Sequence, residues 1–165
     1  MSDVVLSDDP PPPPPPVSAD LQTSLELDLA LPPSVELVIP FTTFVENSGS
    51  FAFTASGDGT FTMPQDGTYA VTLTLSVLNS ADAESSAAQL IAFMAYSGIS
   101  IANTVKVFSL QPSSSSTCVL NTVIIGYKAG TEISASLQAG SGTLLSLVAS
   151  IDTSAPADLI VKLVA

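Results

Sequence analysis

Hydrophobic and polar residues alternate with a period of two along most of this chain. In residues 25–31 every second residue is leucine and the residues between are mainly acidic, a pattern typical of an edge strand kept soluble by charge. Further along, short runs rich in Thr, Val, Ile and Ser are separated by turns that contain Gly, Pro, Asn or Asp. These runs predict strands at residues 41–46, 50–55, 60–63, 69–78, 88–97, 100–109, 117–127, 132–138, 144–151 and 159–164.

The predicted strands define the fold class. Many short strands at close spacing form antiparallel sandwiches or barrels, so we expect an all-β protein. No segment shows a clear helical pattern, and the alanine-containing stretch at residues 80–89 has enough serine to favour a loop.

Changes in composition predict three segments. Residues 1–17 form an N-terminal anchor and arm that contains seven consecutive prolines, Pro10 to Pro16. Residues 18–40 form an extended connector that includes the edge strand, and residues 41–165 form the β domain. The proline run adopts a polyproline II rod about 22 Å long, which would serve as a spacer.

The residues ahead of the rod contain a small apolar cluster, Val4, Val5 and Leu6, among three aspartates. Two interpretations stay open: a disordered terminus, or a peptide anchor that docks on a partner and holds the β domain at a fixed distance. A ligand for a proline-reading signalling domain has less support, because no basic residue flanks the prolines to orient the peptide.

The composition excludes several classes of function. The chain has 165 residues, 15 of them acidic, with three Lys, no Arg and no His, for a net charge of −12. So few cations cannot neutralise a row of phosphates, so we expect no nucleic-acid partner and no anionic membrane partner. Without His, the lone Cys118 can form neither a thiolate–imidazole pair nor a Cys/His zinc site, and its apolar neighbours predict a buried core residue.

Neither a membrane span nor a secretory signal is expected. The longest apolar run, residues 90–96, is far shorter than the roughly 18–20 residues of a spanning helix. The first sixteen residues carry three Asp and a proline run where a signal peptide has an apolar stretch. We therefore expect synthesis in a cytoplasm.

Candidate catalytic groups are few. The serines at residues 113–116 have no His to activate them and are expected in a loop. The carboxylate pairs Asp82 with Glu84 and Asp58 with Asp66 are candidates for acid–base work or a loop calcium site, but their positions at turn tips favour a solvated surface. We therefore expect a protein that is not an enzyme and binds no cofactor or metal.

One segment carries a specific resemblance. Residues 59–71 read GTFTMPQDGTYAV, which resembles the G-x-F-x-x-P-x-x-G-x-Y-x-V signature of the complement C1q and tumour necrosis factor jelly rolls. Phe61 and Tyr69 are expected to fill the core on either side of a tight turn. Pro64 is expected to end one strand, and Gly67 to adopt the positive φ that begins the next.

Other features follow in the order of that superfamily, over roughly residues 41–165. Residues 41–44 with Asn47 occupy the place of the first strand, residues 126–133 resemble the L-x-x-G-D-x-I turn, and residues 159–164 fit the apolar closing strand. The chain is also similar to the globular heads of spore-surface collagen-like glycoproteins and to viral decoration and spike heads, although prolines replace the collagen stalk.

The resemblance implies an antiparallel jelly-roll sandwich that assembles as a homotrimer. Independently, the strands carry more apolar positions than one small core requires, and the excess must be buried between subunits or exposed. For the long strand and its neighbours, burial within one chain and burial at the threefold interface both stay open. The interface candidates are Tyr69, Val71, Leu73, Leu75, Phe93, Ala95, Ile124 and Tyr127.

We therefore expect a non-enzymatic virion structural protein: a trimeric capsid decoration, cement or short spike protein of a bacteriophage or related virus. Its N-terminal arm, through Val4, Val5, Leu6, Pro10 and Pro16, would attach it to the major capsid protein or another protein of the virion surface. The alternatives are the receptor- or glycan-binding head of a phage fibre, with residues 80–89 and 111–117 contacting the host, and a spore-surface or secreted C1q-like structural protein.

Overall fold

Two antiparallel sheets packed face to face make up this chain in a computed structural model, which describes residues 10–29, 36–54, 57–140, 143–150 and 155–165. The strands within these ranges are β1 (Ser18–Thr23), β2 (Leu27–Asp28), β3 (Leu37–Val38), β4 (Thr43–Ser48), β5 (Ala52–Phe53), β6 (Phe61–Thr62), β7 (Gly67–Asn79), β8 (Ala88–Tyr96), β9 (Ile99–Ser100), β10 (Lys106–Leu110), β11 (Ser114–Tyr127), β12 (Glu132–Ala139), β13 (Leu145–Leu147) and β14 (Ala157–Leu163). The all-β antiparallel fold class is confirmed.

β7 is the centre of the first sheet, which we call sheet A. It pairs with β11 on one side, from Gly67 opposite Tyr127 to Asn79 opposite Ser114. On its other side it pairs with β14 and, near its end, with β13. β1 then pairs with β14, β4 with β1, and β2 with β13.

The second sheet, sheet B, is built around β8 and β12, which pair along most of their length. β10 and β9 pair with the other side of β8. β6 and β3 pair with different parts of the other side of β12, and β5 extends the sheet beyond β6.

The period-two pattern of β7 explains how the sheets pack. Alternate residues from Tyr69 to Leu75 are buried, whereas the small and threonine residues between them are partly exposed. The buried face joins one hydrophobic core with alternate residues of β8 and β12, such as Leu90, Met94 and Ile133. Each such side chain contributes roughly 1.5–3 kcal/mol on burial, so the register of β7 is strongly fixed.

One end of the sandwich, which we call the arm end, receives the proline rod. Val17 follows the rod, and its carbonyl oxygen accepts a hydrogen bond from the N–H of Leu163 (2.9 Å). The carbonyl of Ala165 accepts one from the N–H of Thr68 (2.6 Å). The N-terminal arm and the last residue therefore leave the sandwich beside the start of β7.

The opposite end, which we call the distal end, lies where β7 finishes. There the N–H of Ser113 donates to the carbonyl of Ala81 (3.0 Å), and the N–H of Ser80 donates to the carbonyl of Leu144 (3.0 Å). Loops from three parts of the chain therefore meet at the end farthest from the arm.

The segment expected to be a connector, residues 18–40, differs from that prediction. β1 is an integral strand of sheet A between β14 and β4, and Ala19 and Leu21 are buried. The sandwich therefore begins at Ser18 rather than at residue 41. Within the expected edge strand 25–31, Leu27–Asp28 pairs with β13 and the N–H of Leu29 donates to the carbonyl of Leu145 (2.8 Å). Residues 30–31 lie outside the described residues.

The strand expected at residues 100–109 is interrupted. A 3₁₀ turn at Ala102–Thr104 separates β9 from β10. Thr104 causes the bend: its hydroxyl is buried, accepts a hydrogen bond from the N–H of Met94 (2.9 Å) and lies 2.7 Å from the carbonyl oxygen of Ile101. The alternation of hydrophobic and polar residues does not distinguish a threonine whose hydroxyl bonds to two segments from a threonine within a strand.

The serine cluster at residues 113–116 is not the loop that its composition suggests. β11 already begins at Ser114, opposite Asn79 at the end of β7. Pairing along the whole of β7 outweighs the weak strand propensity of serine, because propensity in sheets depends on the neighbours.

The signature segment also contains one difference. Phe61 and Tyr69 fill the core as expected, but Gly67 is not among the glycines with positive φ. A Cβ atom at Gly67 would lie 2.4 Å from Cδ1 of Leu163 and 2.6 Å from the carbonyl oxygen of Ala165. Close approach of the C-terminal strand, not backbone conformation, explains the glycine.

Candidate functional site

The residues predicted for the threefold interface lie mostly inside the sandwich. Tyr127 is the half-buried member and packs edge-on against Tyr96, with ring centroids 5.9 Å apart. A side chain without exposed area adds nothing to a contact between copies, so this placement matches burial within one chain. The candidates in the core between the sheets are Tyr69, Val71, Leu73, Leu75 and Ile124. Phe93 and Ala95 are also buried, but they alternate with the core residues of β8 and so lie on the outward side of sheet B.

The predicted anchor divides into two parts. Val4, Val5 and Leu6 lie outside the described residues. Pro10 to Pro16 are all exposed, and the rod is held at its base, where the hydroxyl of Ser48 donates to the carbonyl of Pro16 (3.0 Å). The proline rod is therefore exposed along its whole length, whereas its last residue is fixed to the sandwich.

The outward side of sheet A is a first surface able to receive a partner, and we call it the open face. Every described strand belongs to one of the two sheets, so among the described residues no third layer covers this side. Its centre is formed by Ala70, Thr72 and Thr74 of β7, with Asn121 of β11 and Ile160 of β14 beside them. Small side chains at the centre make a flat surface, at whose edge Ile160 is exposed.

A second surface, which we call the edge patch, lies where the two sheets meet at β10 and β11. It consists of the exposed residues Val105, Val107, Val123 and Ile125, of which Ile125 is 71% exposed. Lys106 links the two strands, because its Nζ donates to the carbonyl of Val119 (2.7 Å). Val123 is paired with Ala70 and borders the open face, whereas Val107 is paired with Ile91 on the outward side of sheet B. The exposed aliphatic residues therefore flank this edge of the sandwich on both sides, and exposed apolar residues of this kind can mark an interaction site.

The edge patch was not predicted from the sequence. A period of two indicates which residues share a face of a strand, but not which strand lies at an uncovered edge. The run VIIGY at residues 123–127 carries the available signal, since consecutive apolar residues cannot all face the core.

An acidic cluster lies at one side of the open face. Burial, followed by the neighbouring carboxyl of Asp158 and the charge of Glu46, raises the pKa of Asp20 to about 6. Asp158 in turn accepts a hydrogen bond from Nε2 of Gln22 (3.0 Å). The open face therefore combines a centre of small side chains, most of them threonines, with a carboxyl group that retains its proton well above its usual pH range.

The distal end contains a cleft of about 340 Å³. Asn79, Asp82, Ser85, Ser86 and Thr143 are among its lining residues. The Oγ1 atom of Thr143 is buried and has no hydrogen-bond partner among the described residues. The cleft therefore offers amide, hydroxyl and carboxylate groups within a volume at the lower limit of small-ligand sites.

Two of the carboxylates considered for catalysis, Asp58 and Asp66, form hydrogen bonds within and between turns. Asp66 forms a salt bridge with Lys128 (2.7 Å) and accepts the N–H of Ala129 (2.9 Å), and the hydrogen bond from Lys128 lowers the pKa of Asp66. Asp58 accepts hydrogen bonds from the hydroxyl of Thr54 and the N–H of Thr60, both at 3.0 Å. These bonds do not bring Asp58 and Asp66 together as an acid–base pair.

The other candidate groups are one buried thiol and two exposed carboxylates. Cys118 is buried, and burial raises the pKa of its thiol, although the charge of Lys106 partly opposes this. Asp82 and Glu84 are exposed. Among the described residues, no three His, Cys, Asp or Glu side chains are placed to hold one metal ion, and no helix is long and apolar enough to cross a membrane.

The strand order and the two-sheet packing define a jelly roll of the complement C1q and tumour necrosis factor type. Solved structures with this fold confirm the resemblance seen in the sequence. Murine APRIL shares 11% identity over 90% of this chain and 100% of its own, with a TM-score of 0.59. Eiger TNF from S. frugiperda shares 12% identity over 92% and 94%, with a TM-score of 0.56.

The globular domain of zebrafish complement 1qA is a third similar structure, with 12% identity over 90% of this chain and 98% of its own and a TM-score of 0.52. At such low identity the likeness shows the fold alone. No protein-family model and no curated protein matches the sequence.

Proposed function

We propose that this protein is the non-enzymatic head of a homotrimer, attached to the surface of a larger assembly by its N-terminal arm. The observation that carries the proposal is the pair of uncovered surfaces, the open face and the edge patch, on a jelly roll from which an exposed proline rod leaves at one end. The candidate catalytic groups described above serve turns or the core, which supports a structural role.

The difference between the two surfaces supports the trimer. The edge patch is aliphatic and projecting, whereas the open face is flat with small side chains at its centre. Contact between two different surfaces is heterologous, and three such contacts close a ring when the rotation is 120°. In this arrangement the edge patch of each copy packs against the open face of the next, which buries the exposed aliphatic residues of both.

The larger assembly that we propose is a capsid of a bacteriophage or related virus, with this chain as a decoration, cement or short spike protein of the virion surface. Three copies of the arm would emerge together at the arm end, each carrying the apolar residues Val4, Val5 and Leu6. Weak anchors on one rigid body bind with a high effective concentration. The low content of cations agrees with a partner other than nucleic acid.

Sedimentation equilibrium of the full chain and co-sedimentation with purified capsids test the two parts of this proposal separately. We expect a trimer at micromolar concentration and saturable attachment to the capsids. A monomer would overturn the trimer, and a trimer without attachment to any capsid protein would overturn the virion role alone.

The distal cleft supports a second candidate function, the receptor- or glycan-binding head of a fibre. It lies at the end farthest from the arm, and residues of the 80–89 loop line it. An array of host-surface glycans probed with the full chain tests this alternative. We expect binding to be lost in Ser86→Trp, which fills the cleft, and kept in Ser115→Trp on the exposed side of β11; equal loss in both variants would contradict it.

A further inference from the structure

The arm end carries a shallow groove of about 310 Å³, which we call the arm-end groove. Tyr96, the last residue of β8, lines it together with Ala129 and Gly130 of the turn between β11 and β12. That turn lies beside the start of β7, because the N–H of Ala129 donates to the carboxylate of Asp66 (2.9 Å). The groove therefore lies at the end of the sandwich from which the proline rod leaves.

Apolar side chains that the core does not cover lie at this groove. Tyr96 is 46% exposed, and Ile99, its partner in the β8–β9 hairpin, is 70% exposed. Directly paired residues point to the same side of a sheet, so the aromatic ring and the aliphatic side chain are neighbours. The half-buried ring of Tyr127 packs edge-on against Tyr96 and supports it from the core side.

The proline rod has the chemistry that such a groove recognises. A polyproline II segment has no internal hydrogen bonds, and its preformed shape lets it dock on aromatic-lined grooves at a small cost in entropy. All seven prolines, Pro10 to Pro16, are exposed. An uncovered aromatic surface and an uncovered row of proline rings are thus present at the same end of one molecule.

The rod does not contact the groove of its own chain. Its base is fixed beside β1, where the hydroxyl of Ser48 donates to the carbonyl of Pro16. β14 and β7 lie between β1 and β11 in sheet A, so three strand spacings, about 14 Å, separate the base of the rod from the strand that ends at Tyr127. The rod is stiff and exposed along its whole length, so a second copy is the source of a rod that can fill the groove.

The ring proposed above brings that second rod close. In the ring the β10–β11 edge of one copy packs on the open face of the next, and β1, which follows the rod, belongs to that face. With the three arms at the same end of the ring, the base of the neighbouring rod lies near the end of β11, where Tyr127 packs against Tyr96. The inference therefore rests on the proposed trimer but not on the proposed virion role.

We propose that the arm-end groove of each copy binds the proline rod of a neighbouring copy. The proline rings would pack on the ring of Tyr96 and on the side chain of Ile99. The three rods would then be held against the base of the head, so that all three arms keep one fixed direction.

Cysteine cross-linking of the full chain tests the proposal. In a Cys118→Ala background, Pro12→Cys on the rod and Ile99→Cys beside the groove should form a disulfide between copies, seen as a covalent dimer and trimer on a non-reducing gel. Pro12→Cys with Leu144→Cys, which is similarly exposed at the distal end, is the control and should give no more linked product than Pro12→Cys alone. A disulfide within one chain, which leaves the band at monomer size, would overturn docking on a neighbour.

Tyrosine ring signals give a second measurement, since the chain has three tyrosines. In chains with ¹³C-labelled tyrosine rings, replacement of the seven prolines by Gly and Ser should shift the NMR signals of Tyr96 and Tyr127 and leave that of the buried Tyr69 in place. Tyr96→Ser should abolish the link between Pro12→Cys and Ile99→Cys. Tyr96→Phe keeps the ring face and should retain the link.

Sedimentation equilibrium of the same samples separates the failures. A trimer without the link at Ile99→Cys and with unchanged tyrosine signals would overturn the inference and leave the proposed trimer intact. A monomer would overturn both. A trimer without the link, whose tyrosine signals move only when free heptaproline is added, would assign the groove to a proline-rich segment of another protein instead.

Discussion

The carboxyl group of Asp20 interacts with that of Asp158 across the β1–β14 pair, on the open face of sheet A. Burial opposes ionisation of Asp20, and the contact with the second carboxyl group adds to the effect, so the pKa of Asp20 rises to about 6. The interaction lies on the surface that we propose for contact between copies. The charge of that surface therefore depends on the pH of the solution.

The first prediction concerns stability against pH. In the unfolded chain Asp20 loses its proton near pH 3.8, whereas in the folded chain it keeps the proton to about pH 6. Between these values the folded state binds more protons, so stability falls as pH rises from about 4 to 6. Asp20→Asn, which mimics the protonated carboxyl, should be about 1 kcal/mol more stable than the unaltered chain at pH 8 and equal to it at pH 3.5, after allowance for solvent screening.

Urea unfolding at several pH values and one fixed protein concentration measures this difference. Asp82→Asn, on an exposed distal loop, removes the same formal charge and serves as the control. If Asp20→Asn and Asp82→Asn follow the same pH profile, the coupling between Asp20 and Asp158 has no effect on stability.

The second prediction concerns the edge patch. Ile125→Lys places a charge where we expect an apolar contact with the next copy, so it should convert the trimer to a monomer at micromolar concentration while leaving the sandwich folded. Leu144→Lys changes a similarly exposed residue at the distal end and should stay trimeric. Sedimentation equilibrium distinguishes these outcomes, and a trimer that survives Ile125→Lys would move the interface to another surface.

The third prediction concerns the arm. Deletion of residues 1–16 should leave the sandwich folded, because β1 begins only at Ser18, and should abolish attachment to capsids. Replacing Val4, Val5 and Leu6 by Ser should have nearly the same effect, since each buried aliphatic side chain is worth roughly 1.5–3 kcal/mol and a trimer presents three arms.

A Gly/Ser linker in place of the seven prolines is the matched variant for the rod. It keeps the apolar residues and loses the fixed spacing, so attachment should weaken less than in the deletion. Pull-down with purified capsids compares all three variants. Normal occupancy by the arm-deleted chain would place the attachment site on the sandwich itself.

The fourth prediction separates backbone strain from steric clash at one turn. Gly57 and Gly59 both have positive φ, at +65° and +85°, but a Cβ at Gly57 meets open space whereas one at Gly59 would lie 2.1 Å from the carbonyl oxygen of Ile39. Gly57→Ala should therefore cost about 1 kcal/mol of stability and Gly59→Ala about 3 kcal/mol or more. Denaturant unfolding of both variants measures the difference, and equal costs would show that the turn relaxes freely.

The sandwich could be predicted from sequence because its strands are long enough to show the period and its turns contain characteristic residues. β7, β8, β11 and β12 lie close to their predicted bounds. The resemblance of residues 59–71 to the C1q and tumour necrosis factor signature then indicates one topology among the possible sandwiches. Its two aromatic residues, Phe61 and Tyr69, fill the core as that resemblance implies.

What the pattern did not predict depends on contacts distant in sequence. β1 is a strand of the sheet because β14 and β4 lie on its two sides, and its own residues are too few to show that. The interaction surfaces could not be predicted for the same reason. Ile125 is exposed and Ile124 is buried, although both are isoleucines and adjacent in sequence. Only the fold determines which of the two side chains faces the other sheet.

The position of the proline rod and of Ala165 at the same end of the sandwich has a practical consequence for engineering. A tag fused after Ala165 would emerge beside the proline rod and crowd whatever surface the arm binds. A peptide inserted in the loop at residues 81–87 would instead be held at the far tip of the head, away from the rod. For presenting foreign epitopes on a particle, that loop is the insertion site and the C terminus is the place to avoid.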